Sequence, residues 1–462
     1  MTAVSIGRAV TLQAAREPGA VAVRCGDEVL TRHDLDRWSN RLARSWARAG
    51  VGHDDLVTVS LPNGLDLVVA CVATWKLGAT PQPLSPRLGA DERRAVLDLA
   101  RPALVVDGPV PLCLDEDDAL LPDAVASSWK APTSSGSTGR PKIVRASAPA
   151  TVDPDAPIAP FVPHDAVQLV AGPLVHAAPF VYAMRGLTAG HELVVMPRFD
   201  AAGWLRLVEE HRVTWGLLVP STMHRVWRLG EAAREGHDLS SLESVLHLGA
   251  PCAPWLKEAW IGWLGPDRVV EVYAGTEAQG LTMITGREWL EHRGSVGRPV
   301  SGSRFRVVRP DGDDCDPGET GEVLMRRDHE TYRYQGAEAV VRDGWHTLGD
   351  AGHLDADGYL HLADRLDDLV VTAGTRVRPA DVEAVLEEHP DVRSAVVVGR
   401  PDDEHGQLVH AVVDTAGADV STEELHDWAR ARLEPARRPR GYRVVDQPLR
   451  DDAGKVRRSD WA

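Results

Sequence analysis

Ala131-Pro132-Thr133-Ser134-Ser135-Gly136-Ser137-Thr138-Gly139-Arg140-Pro141-Lys142 is the stretch whose composition packing cannot explain. Its glycines and prolines forbid a regular helix. An anion needs donors converging on one point, and glycine lets backbone N–H groups approach without a Cβ in the way. Ser134, Ser135, Ser137 and Thr138 add rotatable hydroxyls, and Lys142 adds a point charge. A flexible Ser/Gly linker is the rival reading. The spacing differs from the phosphate loop that ends Gly-Lys-Ser/Thr and opens a helix. Pro141 separates Gly139 from Lys142, and Ile143-Val144-Arg145 reads as a strand, so a loop between two strands is expected.

Around this loop, helical and strand patterns alternate. Leu42, Ala43, Trp46 and Ala47 mark an amphipathic helix that leads into the strand Leu56 to Leu61; a helix from Asp66 to Leu77 and another from Ala90 to Ala100 follow. The alternation resumes at Val167 to Val170, Glu192 to Met196, Thr214 to Pro220, Ser244 to Pro251 and Val269 to Glu277. It predicts parallel sheets covered by helices. These strands break at small residues, which leaves room for a planar ligand over their ends. Tyr273 suits stacking on such a ligand, and Glu277 suits a hard cation; core and surface roles are the rival readings. His176 follows a strand end, where ligands bind in open α/β sheets. Between Asp107 and Ser128 the chain is acidic and irregular and reads as a solvated connection.

Beyond Gly297, turn signals such as Pro310-Asp311-Gly312 and Asp355-Ala356-Asp357-Gly358 separate short strands, so an antiparallel β subdomain is expected. Within it, Asp350 reads either as a turn residue or as a carboxylate suited to a vicinal diol. The composition changes near Asp364 to Asp368. A large domain over 1–365 and a small α+β domain over 366–462 are expected, the latter of about the size that folds alone. Its elements read as strand (Leu369 to Thr372), helix (Pro379 to Glu388), strand (Ala395 to Gly399), strand (Val409 to Asp414), helix (Thr422 to Leu433) and strand (Tyr442 to Val445). Lys455 follows a glycine on a loop near the C-terminus and reads as free to move.

Composition narrows the function. The 462 residues are 43% hydrophobic and 26% charged, as in ordinary globular proteins. A formal charge of -17 argues against a nucleic-acid partner. Five scattered cysteines without a CxxC pair argue against a disulfide framework or a zinc site. The first residues lack the apolar core of a signal peptide and no apolar run reaches spanning length, so a cytoplasmic protein without membrane contact is expected.

Taken together, the loop ending at Lys142, Pro173-Leu174-Val175-His176, Gly249-Ala250-Pro251, Tyr273-Ala274-Gly275-Thr276-Glu277, Gly349-Asp350, Arg365, Gly374 and Gly454-Lys455 resemble, in order, the motifs of the adenylate-forming superfamily. That superfamily holds acyl-CoA synthetases, peptide-synthetase adenylation domains and luciferases. The resemblance implies two steps: a carboxylate attacks the ATP α-phosphate to give an acyl-adenylate and pyrophosphate, and a thiol then takes the acyl group. It implies ATP, Mg²⁺ and CoA as cofactors. It implies that Lys455 bridges carboxylate and α-phosphate, Thr276 contacts that phosphate, Glu277 holds Mg²⁺, and the Thr133–Gly139 loop with Lys142 holds the β- and γ-phosphates. Tyr273 with Gly249, Ala250 and Pro251 would frame adenine, Ala274 and Gly275 would join the cofactor-binding set, with Ala274 narrowing the acid pocket, and Asp350 with Arg365 would hold the ribose. The small domain would be mobile, turning about Asp367 to bring Gly374 and Arg376 to the acceptor channel, with His176 as gate to the acid site. Ala274, Asp364 and Leu348 depart from the usual residues, and the section before the loop is shortened.

Ser128 to Pro132, Gly249 to Trp260, Arg287 to Ser295 and Thr331-Tyr332-Arg333-Tyr334 look like bile-acid, steroid-side-chain or aryl acid-CoA ligases of bacteria. The expected substrate is a hydrophobic aryl or alicyclic carboxylic acid, with CoA as acceptor. A carrier protein as acceptor, nitrite activation for an arylamine, and a non-catalytic nucleotide binder are the alternatives. Arg437, Arg438 and Arg440 read as solvated charge rather than as CoA contacts, and a homodimer is an expected assembly.

Overall fold

The computed structural model describes residues 3–135, 141–365, 368–451 and 454–461. The loop residues Gly136, Ser137, Thr138 and Gly139 and the expected hinge Asp367 lie outside the described residues, as do the side chains of Ser135 and Arg365.

The alternating pattern of the sequence becomes one long sheet. Val21–Cys25, Glu192–Val195, Val167–Val170, Trp215–Leu218, Ser244–His247 and Val269–Ala274 lie side by side in parallel. Trp215–Leu218 and Ser244–His247 are buried at every position, as strands covered on both faces must be. Helices Ala201–Glu210 and Pro254–Leu264 supply cover, starting at the Asp200 cap, which accepts from the Gly203 N–H at 2.6 Å, and at Pro254. Trp204 and Trp260 meet edge to face between them, ring centroids 5.8 Å apart. Lys257 on the second helix and Glu271 on the last parallel strand form a buried pair at 2.5 Å, which ties that strand to its covering helix. Three more parallel strands, Thr80–Pro83, Leu56–Val59 and Leu104–Val106, make a second sheet.

The expected antiparallel β section is formed by the strands Arg304–Val308, Gly321–Arg326, Trp345–Leu354 and Leu360–Arg365. They continue the main sheet through Ser295–Pro299 and Leu281–Thr285, because antiparallel pairing with Val269–Ala274 extends its edge. The acidic stretch between Asp107 and Ser128 is docked rather than solvated. Asp118 pairs with Arg37 and Arg41, Glu116 is buried beside Arg48, and Arg44 donates to the Asp117 and Ala119 carbonyls, so the basic face of helix Arg32–Arg48 holds it. In the C-terminal unit a strand, Thr375–Val377, pairs with Val370–Thr372 across a two-residue turn in which Ala373 (φ 45°) and Gly374 (φ 79°) both take positive φ.

The rest of that unit packs helices Pro379–Glu387 and Thr422–Arg432 on a sheet that includes Ser394–Asp402, Gly406–Asp414 and Gly441–Val445. Its core, Val382, Leu386, Val397, Ala411 and Leu425 among others, is separate from those of the large domain. Glu383 is the exception inside it. This 4% exposed carboxylate accepts from Arg450 at 3.0 Å, from Arg458, and from the Val397 N–H at 2.8 Å. The two arginines bracket the loop that carries Lys455.

Burial would push the Glu383 pKa up, but Arg458 and Arg450 outweigh it and hold the carboxyl below its ordinary value. The stability this contributes is present above the unfolded glutamate value, about 4.3, and is lost as pH falls through the lower folded value. Glu383→Ala should destabilise the C-terminal unit by about 3–5 kcal/mol, since two half-buried guanidinium groups lose the carboxylate they share. Urea unfolding followed through Trp428, whose indole N–H donates to the Val385 carbonyl, is the check. A midpoint unchanged from wild type between pH 5 and 8 would refute the clamp.

Candidate active site

The carboxyl ends of the parallel strands open onto a continuous cleft of about 3620 Å³. Gly172, Val219, Gly249 and Gly275, which follow four of these strands, all line it, as expected for a ligand site in an open α/β sheet. The first of these turns is stapled from across the fold. The Asn63 amide donates to the Gly172 and Met196 carbonyls at 3.0 Å and accepts from the Leu174 N–H at 2.8 Å. This fixes the path into His176, which caps helix Ala177–Ala189. Burial lowers the His176 pKa; Asp451 opposes the shift and Lys455 adds to it, so the C-terminal loop stands over this imidazole.

Asp451 is drawn against Gly454 and Lys455. Asp451 accepts from the Gly454 N–H and, through its side chain, from the Lys455 N–H at 2.8 Å, and its own N–H donates to the Lys455 carbonyl. Gly454 has φ 75°, and a Cβ there would stand 3.1 Å from Ser221 Oγ and 3.2 Å from Val219. Glycine therefore lets the loop close onto the start of helix Pro220–Trp227 and present Lys455 to the cleft.

Across the cleft, Tyr273 donates its hydroxyl to Asp350, so the end of strand Val269–Ala274 and the turn after Gly349 share one polar contact. Gly275 admits no side chain: a Cβ would stand 2.9 Å from both the Glu277 carboxylate and Leu348. Leu348 thus fills the space that this glycine leaves. Glu277, 4% exposed, accepts from Lys142 at 3.0 Å and from the Tyr334 hydroxyl, which also accepts from Lys142 at 2.7 Å. Burial pushes the Glu277 pKa up, but the Tyr334 hydrogen bond and the Lys142 charge together hold it below the ordinary carboxylate value. Tyr334 is raised well above its usual range by burial and by Glu277.

Of the sequence-derived candidates, Thr133, Ser134, Lys142, His176, Gly249, Ala250, Pro251, Tyr273, Ala274, Gly275, Thr276, Glu277, Asp350, Arg376 and Lys455 line this one cleft. Arg365 sits opposite Asp350 in the strand register. Gly374 is on its hairpin turn and is not among the lining residues. The sequence reading assigns no site role to Asn63, Tyr334 or Lys130. Tyr334 had a signal, since Tyr332 and Tyr334 alternate on one strand face, ring centroids 4.7 Å apart. Lys130 gave only a lone lysine before an alanine and a proline. It is 6% exposed and donates to the Thr276 carbonyl at 3.4 Å. The arrangement supplies hard oxygen ligands at Glu277 and Thr276, cations at Lys142 and Lys455, and a polar pocket at Tyr273 and Asp350. It can therefore hold a metal-bound polyphosphate ester beside a second reactant.

The family model for AMP-binding enzymes matches residues 10–334, and that for the AMP-binding enzyme C-terminal domain matches residues 381–455. A feruloyl-CoA synthase of Amycolatopsis sp is 30% identical over 487 aligned positions, covering 96% of each chain. A fatty acid–[acyl-carrier-protein] ligase of Streptomyces coeruleorubidus is 28% identical, covering 97% of this chain and 94% of its own. The o-succinylbenzoate CoA synthetase of Bacillus subtilis, solved with its acyl-adenylate intermediate, shares the fold with a TM-score of 0.84 at 24% identity, covering 100% of this chain and 98% of its own. With matching family models over both its large and its small unit, this chain belongs to the AMP-binding enzymes, the adenylate-forming family.

Proposed function

We propose that this enzyme activates a hydrophobic aryl or alicyclic carboxylic acid. It is an AMP-forming acid-CoA ligase: the acid becomes an acyl-adenylate with release of pyrophosphate, and the acyl group then passes to the thiol of CoA. The observation that carries the substrate class is the wall of the cleft. Phe161, Ala178, Tyr182, Leu248 and Leu281 line it and pack on the buried Leu217, Leu246 and Val272. The aryl acid named for the feruloyl-CoA synthase supports the same class.

In the first step a carboxylate oxygen bonds to the α-phosphorus while the bond to the bridging oxygen of pyrophosphate breaks. Charge spreads over the phosphoryl oxygens, and positioned cations stabilise it. Lys455 stands between carboxylate and α-phosphate and neutralises both. Thr276 donates to an α-phosphate oxygen. Lys142 and the Thr133–Gly139 loop hold the leaving pyrophosphate. Tyr273 with Gly249, Ala250 and Pro251 frames adenine, and Asp350 with Arg365 holds the ribose. Glu277 and Thr276 offer the hard oxygens that Mg²⁺ prefers, and the ion when bound supplies charge neutralisation on the phosphates. The Glu277 contact with Lys142 keeps both charges compensated until substrate separates them.

In the second step the CoA thiolate attacks the acyl carbon, and AMP leaves with the electron pair of the acyl–oxygen bond. The division of the chain into 1–365 and 366–462 serves this step: the small domain turns about Asp367, withdraws Lys455 and brings Gly374 to the acceptor channel, while Arg376 meets phosphate and His176 gates the acid site. A carrier-protein thiol as acceptor is favoured by the Streptomyces coeruleorubidus relative.

Pyrophosphate release with ATP, Mg²⁺ and a panel of acids tests the reading, with CoA, a carrier protein, hydroxylamine, or nitrite plus an arylamine as co-substrates. Release that requires an aryl or alicyclic acid, with CoA consumed, is expected; release with nitrite alone, or none, refutes it. Lys455→Ala should slow adenylate formation by about 10²–10³-fold while a supplied adenylate is still thioesterified; equal loss of both steps would sink the domain rotation. Tyr334→Phe removes the donor that depresses Glu277. The carboxyl pKa then rises toward the ordinary value, so the acid limb of the pH profile of kcat/KM for ATP should move to higher pH. An unmoved limb would show that Glu277 does not act as the ionised group.

A further inference from the structure

Three cations in the cleft take no part in the chemistry above. Helix Ala177–Ala189 presents Ala178, Tyr182 and Arg185 at the i, i+4, i+7 spacing of one face, and all three line the cleft. Ala178 and Tyr182 belong to the apolar wall. Arg185 follows them about 10 Å further along the axis than Ala178, at 1.5 Å per residue. The helix holds no acidic residue, and among the described residues the Arg185 guanidinium has no hydrogen-bonded or ion-paired partner. Lys130 is buried with one long hydrogen bond, to the Thr276 carbonyl at 3.4 Å, and lies 5.5 Å from the Trp129 ring centroid. The carboxylate that acts on it, Glu277, is already engaged by Lys142 and Tyr334. Arg327 lines the same cleft, half-buried, with one hydrogen bond to Ser303 Oγ at 3.4 Å. These cations sense one another. Burial pushes Lys130 down to about 8, Glu277 opposing and Arg185 adding to the shift. Burial and then Arg185 lower Arg327 as well.

Lys130 is buried and Arg327 half-buried, and cations so placed without a carboxylate of their own are costly; Arg185 is exposed to the open cleft, and an arriving anion would meet its charge while offsetting the cost of the other two. We propose that the acid activated by this enzyme carries a second anionic group, such as a ring carboxylate, received by a cationic chamber formed by Lys130, Arg185 and Arg327. This rests on the acid-ligase reading and narrows it: the apolar wall takes the hydrocarbon, and the chamber takes the charge at its far end. A monoanionic acid leaves Lys130 and Arg327 uncompensated and forgoes the charge of Arg185.

The test compares 3-phenylpropanoate with 3-(2-carboxyphenyl)propanoate in pyrophosphate release by wild type, Arg185→Met and Lys130→Met, variants that keep the apolar stems. Wild type should favour the dicarboxylate in kcat/KM by about tenfold or more, and each variant should reduce that preference by about tenfold, through KM of the acid. An equal fall for both acids, or a change confined to KM of ATP or CoA, would overturn the chamber and assign the cations to phosphate. Calorimetric titration of the unliganded protein with the dicarboxylate gives a second readout. Weaker binding by Arg185→Met supports the proposal even if neither acid turns over, an outcome that sinks the acid-ligase reading instead; equal affinity overturns the proposal. Turnover of both acids without preference overturns the chamber and leaves the ligase reading intact.

Discussion

The carboxylate of Glu383, buried between Arg450 and Arg458, decides where the C-terminal loop can be. Taking these three charges out of water is expensive, and the arrangement holds only because each finds its partner. The two arginines flank Lys455 on either side, so the loop is fixed to helix Pro379–Glu387 rather than to the large domain. The docking of the unit is of another kind. Arg228 of the large domain donates to the Pro390 and Val392 carbonyls, and Arg457 approaches Glu92 at 3.8 Å with both side chains well exposed. Contacts of this exposed type are worth little each. The carboxylate–guanidinium clamp thus lies inside the small unit and holds the two ends of its lysine loop.

Electrostatics of the cleft run against those of the chain. With a formal charge of -17 the protein repels polyphosphate at long range, so the local cations must do the binding. Lys142 lines the cleft while paired with Glu277 and Tyr334, a triad in which each group is compensated. Lys257 with Glu271 repeats the device at the last parallel strand, where it serves strand placement. Lys130 lacks such compensation, which sets it apart from both.

Much of this was legible in the sequence because it is local. Alternating periods predict the parallel strands, and small residues at their ends predict a cleft there; both are properties of a few consecutive residues. The run Tyr273 to Glu277 is likewise local, a strand end that breaks at small residues beside a carboxylate. What stayed hidden depends on partners far along the chain. Asp107 to Ser128 reads as solvated until the arginines of helix Arg32–Arg48 are placed beside it. Glu383 looks like an ordinary helix glutamate, its arginines lying 67 and 75 residues away. Thr375–Val377 is too short to read as a strand, and its register comes from a turn with Ala373 at positive φ, a conformation that alanine seldom signals. Asn63 reaches its carbonyls over a separation of 109 residues and more.

One helix ties chemistry to selectivity. Ala177–Ala189 begins at His176, beneath the Lys455 loop, and two turns later offers Tyr182 and then Arg185. Because the rise per residue is invariant, the distance between the reacting end and the cationic end is set by counting residues and does not depend on loop conformation. The N-terminal end of this ruler is held by the Asn63 staple at Gly172 and Leu174, and Phe180 packs within 6.0 Å of Trp75 and 6.2 Å of Trp129, on the strip of chain that carries Lys130. On the proposed reading a substrate is measured along a rigid element, and the helix that begins at His176 also sets the length of acid that fits.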